Sequence, residues 1–281
     1  MISAIQKLED GTISLTITIP SLRIEEVRKQ VIDEYVKEAE FPGFRKGKAP
    51  KNLVEEKIDK DKLREEILKK VLPQTYLEAT KEHNLNPIIS PQVHVRELTD
   101  GRDWQYTALT CEAPLIDLGG YKDNIKKITA KKKIIIPGKK DLSAQAGEPI
   151  TFDEISREVM EAVKITIPKL IVQGEVDRLL SQTLDEIKKL GMTLDQYLSS
   201  TGKTAEALRN EYETKATSDI KLEFTLQKIA DSEKIQVTDS EIEKAIKEAK
   251  TEEERKSLEA NKYLLATIIR QRKTLDFLRS L

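Results

Sequence analysis

Residues 12–19 read "TISLTITI". Ile13, Leu15, Ile17 and Ile19 alternate with threonine or serine without a break. A period of two is what a half-buried strand needs and what a helix cannot use, because successive strand side chains point to opposite faces. Asp10-Gly11 just before it is a hairpin turn signal, and Ile2–Leu8 supplies the partner strand. The arrangement recurs where Gln92–Leu98 and Trp104–Glu112 flank Asp100-Gly101. Four strands with one apolar face require a layer to cover it.

The residues between the hairpins have helical periodicity. Ser21 is placed to cap a helix whose buried stripe is Ile24, Val27, Val31, Tyr35 and Ala39, ending before Pro42-Gly43. Pro50 stands where a first helical residue tolerates proline, with Leu53, Val54 and Ile58 expected inward. A longer pattern from about Asp61 to His83 runs through Leu63, Ile67, Val71 and Leu77, and Pro73 is expected to kink or divide it. Asn84 is a C-terminal stop, with Pro87 beyond. Residues 1–113 therefore read as an α+β domain of four strands plus helices.

Beyond Ala113 the pattern changes. Residues 114–140 hold eight lysines against Asp117 and Asp123, a net of +6, and Ile134–Ile136 run directly into Pro137-Gly138. The expectation for 114–150 is an extended basic linker, with a second nucleic-acid contact as the sharper reading if the lysines share a face. From Thr151 to Leu281 the chain reads as all-helical. Thr151-x-x-Glu154, Thr193-x-x-Gln196 and Thr238-x-x-Glu241 are capping boxes, Thr204 starts another helix, and the last helix is expected to run unbroken from about Thr251.

Charge bounds the partners. The 281 residues carry 48 Lys plus Arg against 49 Asp plus Glu, so any contact with nucleic acid must be local. One local concentration is present: "EFPGFRKGKAPK", residues 40–51, has no acid from Phe41 to Val54. Its bland reading is a solvated helix–helix connection. Against that, Phe41 and Phe44 flank Pro42-Gly43, and Gly43 and Gly47 allow backbone with φ > 0. Arg45, Lys46, Lys48 and Lys51 form a cluster without internal neutralisation. Such a tip suits a phosphate-rich surface that also offers a stacking or apolar contact.

"GFRKGKAP", Gly43 to Pro50, resembles the ribosome-binding signature of the bacterial trigger factor family, matching at Gly43, Phe44, Arg45, Gly47 and Pro50. The resemblance covers residues 1–113. It implies docking on the large ribosomal subunit at the polypeptide exit, against a ribosomal protein and adjacent rRNA, with Phe44, Arg45 and Lys46 as contacts. Gly43, Gly47 and Pro50 are implied to shape the loop. More diffusely, "ITIPKLIVQGEVDRLL" and "KIQVTDSEIEKAI" are similar to stretches of the family's helical client-binding domain. That domain shields nascent and unfolded polypeptides on scattered apolar patches. Met192, Leu194, Tyr197 and Leu198, bracketed by Gly191 and Gly202, are candidate client contacts; core packing is the competing reading.

One departure stands out. The family inserts an FKBP-like peptidyl-prolyl isomerase domain whose pocket is lined by aromatics, and "PGKKDLSAQAGEP" has none. No catalytic motif takes its place. "TGKT" lacks the first glycine of a phosphate-binding loop, where Tyr197 stands. His83 and His94 have no partner at zinc-site spacing, and Cys111 reads as a packing residue. The reading is an ATP-independent ribosome-associated holdase with no cofactor or metal; a homodimer is among the assemblies left open. The alternative is a ribosome-associated or assembly factor that binds one folded partner. With a single cysteine, no secretory apolar segment after Met1 and no membrane-length apolar run, the expected place is the reducing cytoplasm, away from membranes.

Overall fold

The computed structural model describes residues 1–38, 44–45, 47, 50–51, 53, 57–133, 151–249 and 251–281. They divide into two units: Met1–Ala113 with Pro168–Ile171, and Pro114–Ile167 with Val172–Leu281.

In the first unit β1 (Ile2–Lys7), β2 (Thr12–Ile19), β3 (Gln92–Glu97) and β4 (Trp104–Cys111) form one antiparallel sheet in the order β1-β2-β4-β3. The two hairpins join through β2 and β4. Ile13, Leu15, Ile17 and Ile19 stand opposite Thr110, Ala108, Tyr106 and Trp104, so one face carries the apolar set of both central strands. Helices α1 (Ser21–Glu38) and α2 (Lys60–Glu82) supply the layer. Ile24, Val27 and Val31 of α1 and Leu63, Ile67 and Val71 of α2 join those strand residues in one core. Arg23 and Lys70 tie the helices together through Glu78 and Glu34.

Three local expectations change in this unit. Ser21 does not cap α1; it is the first helical residue, and its N–H donates to the Asp103 carboxylate at 2.8 Å. Pro73 does not divide α2, which runs unbroken through it. Two residues beyond, the fully buried Thr75 donates to the Val71 carbonyl at 2.8 Å and shares a 2.8 Å hydrogen bond with Tyr106. Burial pushes the Tyr106 hydroxyl up to about 12. Leu77 and Leu53, expected inward, are 54% and 41% exposed. Leu77 lies six residues after Val71, off the stripe of Leu63, Ile67, Val71 and Thr75.

The second unit is helical: α3 (Tyr121–Lys133), α4 (Phe152–Ala162), α5 (Lys169–Lys189), α6 (Leu194–Thr201), α7 (Ala205–Ser232), α8 (Asp239–Lys247), α9 (Glu252–Ala260) and α10 (Lys262–Ser280). A two-strand pair, β5 (Ile116–Asp117) with β6 (Lys164–Ile165), accompanies them. Pro168–Ile171, at the start of α5, cluster with the first unit. Capping boxes form at Thr151, Thr193 and Thr238, and Thr204 accepts from the Ala207 N–H. Tyr121, Ile125, Ile155, Val159, Ile229 and Leu278 make the core.

Two corrections follow. Residues 121–133 are not an extended linker, because Tyr121, Ile125 and Thr129 recur every four residues and bury one face of α3. The Ile134–Ile136 run that argued for extension comes after the helix, and 134–150 lie outside the described residues. The last helix is not continuous. Asn261 leaves helical geometry at φ −117 and ψ 40, and its side-chain amide donates to the Ser257 carbonyl at 2.9 Å, so α9 ends and α10 begins there.

Candidate functional site

The basic loop follows α1. Of its residues, Phe44, Arg45, Gly47, Pro50 and Lys51 are described; Gly43, Lys46 and Lys48 lie outside the described residues. Gly47 has φ +74, and a Cβ there would sit 3.1 Å from the Lys37 carbonyl oxygen. Both facts require glycine: the left-handed conformation is costly for other residues, and the neighbour is backbone that cannot rotate away. Phe44 is 43% exposed and Arg45 is exposed. Pro50 opens a helical turn in which its carbonyl accepts from the Leu53 N–H at 3.1 Å.

The cations of this loop are not alike. Lys51 is ion-paired with Asp33 of α1, an acid outside the loop, so the cluster has no internal neutralisation but is met from outside at that position. Asp33 is 18 residues away in sequence, and nothing in the loop's own composition points to it. Arg45 makes no ion pair among the described residues, and it follows the exposed Phe44 in the chain. That combination can add a charge contact to a desolvation or stacking contact.

On the helical side, α6 has no buried residue. Leu194 is 38% exposed, and Met192, Tyr197 and Leu198 are half-buried. Gly202, with φ +66, ends the helix. A second apolar surface was not anticipated. Tyr263 is 86%, Leu264 59% and Ile268 52% exposed on α10. A groove of about 410 Å³ between α7 and α10 is lined by Leu226, Ala230, Val237, Tyr263 and Leu264. Its signal lay in the sequence: Tyr263, Leu264 and Leu265 are consecutive, and three consecutive helical residues cannot share one face.

Two of the residues considered for catalysis have structural explanations. His83 closes the end of α2 and meets the Ser3 hydroxyl at 2.9 Å, while that hydroxyl donates to Glu82 at 2.7 Å. Cys111 is fully buried, and burial pushes its thiol up, away from the reactive thiolate. Among the described residues no group of three His, Cys, Asp or Glu is placed to hold a metal ion, and no helix is long and apolar enough to cross a membrane.

Comparison with known proteins agrees over the whole length. The family model described as bacterial trigger factor protein (TF) matches residues 1–146, and that of the bacterial trigger factor C-terminus matches 143–280. A trigger factor of Natranaerobius thermophilus is 30% identical over 122 residues, 43% of this chain and 27% of that protein. One from Staphylococcus epidermidis is 21% identical over 416 aligned positions, spanning 98% of this chain and 96% of the relative. That alignment is far longer than the 281 residues here, so more than a hundred positions of the relative in total have no counterpart. A solved structure of a trigger factor chaperone, reported for promiscuous substrate recognition in folding and assembly, superposes with a TM-score of 0.64 at 16% identity over 99% of both chains. With its two family models meeting at residues 143–146 and leaving no room between them for the isomerase domain, the chain belongs to the bacterial trigger factor family.

Proposed function

We propose that the chain is an ATP-independent holdase that docks at the polypeptide exit of the large ribosomal subunit and shields nascent or unfolded polypeptides in the cytoplasm. Residues 1–113 are the docking domain, touching an exit-site ribosomal protein and adjacent rRNA through Phe44, Arg45 and Lys46. Residues 151–281 are the client-binding domain, joined through 114–150, of which 116–133 are folded as described above. The observation that carries the reading is the tip itself: an exposed Phe44 followed by an exposed Arg45 with no ion pair among the described residues, on a loop whose Gly47 lies against the Lys37 carbonyl of α1. That no residue of α6 is buried supports the client role, because its apolar side chains keep surface available for contact.

A holdase works by binding, and its clients leave by dissociation. The full chain at stoichiometric concentration should suppress aggregation of several unrelated denatured proteins without nucleotide. Suppression confined to one protein would favour a factor with one folded partner. The same preparation should not accelerate isomerisation of a short proline peptide; a rate proportional to its concentration would contradict the binding-only mechanism. Photo-crosslinkers at Leu194 and Leu198 should capture unfolded clients, while Leu194→Ala should change stability by no more than about 0.5 kcal/mol, as at other surface positions.

A further inference from the structure

The loop returns to α1 at two points. Gly47 lies against the Lys37 carbonyl, and Lys51 is ion-paired with Asp33. Asp33 and Lys37 are four residues apart and so share one face of the helix. Both contacts come after Phe44 and Arg45 in the chain, and α1 comes before them. The described contacts on the C-terminal side of the exposed pair thus both reach the helix that precedes it.

We propose that Asp33 is a positioning residue for the docking tip: through Lys51 it holds the turn that leaves the loop, and neither side chain of the pair meets the partner directly. The inference rests on the ribosome-docking reading above. It separates Lys51 from the cations that bind, although by composition all belong to one basic run. Both side chains are partly exposed, 63% for Lys51 and 43% for Asp33, although the Asp33 Oδ1 that meets Lys51 is itself shielded from solvent. The effect of the pair is therefore a shift in the fraction of molecules holding the docking geometry, about two- to fivefold in affinity.

The two possible roles of Lys51 give opposite signs for one substitution. If Asp33 positions the tip, Asp33→Asn in the full chain should weaken ribosome binding about two- to fivefold. The slope of log affinity against log salt should stay as in the parent, because no phosphate contact is lost. Lys51→Met should do the same, and the charge swap Asp33→Lys with Lys51→Asp should recover most of the loss. If Lys51 itself contacted phosphate, Asp33→Asn would release it. Binding would then stay unchanged or tighten, Lys51→Met would lower the salt slope, and the swap would recover nothing; any of these overturns the proposal. Thermal unfolding in parallel checks that each variant is folded. The joint substitution of Phe44, Arg45 and Lys46 by alanine is the reference. Parent-like binding by that variant refutes ribosome docking altogether, whereas its loss together with parent-like binding by Asp33→Asn refutes only the positioning role.

Discussion

Gly47 carries two constraints that no other residue type meets at once: a φ of +74 and a backbone oxygen 3.1 Å from where a Cβ would be. Gly47→Ala should cost about 1–2 kcal/mol of local conformational energy. Because the site is a loop, that cost should appear as a displaced tip and weaker ribosome binding more than as a lower melting temperature. Parent-like binding by Gly47→Ala would show that the tip does not depend on this seat. Thr75 makes a different case. Thr75→Val keeps the shape but leaves the buried Tyr106 hydroxyl with only a 3.4 Å contact to the Leu72 carbonyl. A loss of about 1–3 kcal/mol by denaturant unfolding is expected, and Tyr106→Phe should cost less, about 0.5–1.5 kcal/mol, since Thr75 keeps its bond to Val71.

Among the elements, α8 and α10 are joined by a carboxylate with several partners. Glu241 accepts from Lys273 at 2.8 Å and from the N–H of Thr238, the residue it caps, also at 2.8 Å. The Lys273 hydrogen bond, followed by the Thr238 N–H, lowers the Glu241 carboxyl to about 2. Its folded value thus lies below its unfolded one. The stabilisation is complete above the ordinary glutamate range near pH 4.5 and is lost as pH falls toward 2. Glu241→Gln should flatten the acid limb of the stability curve over that window; an identical limb in parent and variant would contradict the assignment. Capping boxes of this kind were legible in the sequence because cap and acid lie three residues apart. The Lys273 contact was not, because it spans 32 residues. The same distinction explains the other outcomes. The apolar face of β2 follows from alternation in 12–19, whereas the break at Asn261 depends on one side chain competing with its own helix. The helix at 121–133 was hidden by the apolar run after it, although Tyr121, Ile125 and Thr129 already had helical spacing.

At the scale of the whole molecule, the family was legible in eight residues, Gly43 to Pro50, while the apolar surfaces of the helical unit were legible only as candidates. Which leucine faces water depends on partners far away in sequence, as Leu194 at 38% exposed and Leu208 at 3% show. The functional division proposed for the chain is a tip that docks and helices that bind clients, and docking comes first in that scheme. Its most direct test is ribosome co-sedimentation across a salt series for the parent and for the variant with Phe44, Arg45 and Lys46 replaced by alanine, with thermal unfolding alongside. Removing Arg45 and Lys46 should take away a salt-dependent contribution. Removing Phe44 should take away one that salt barely changes, about 1–3 kcal/mol. The predicted result is binding lost at every salt concentration with the melting temperature preserved; ribosome binding equal to the parent, or binding lost only because the variant unfolds, would contradict it.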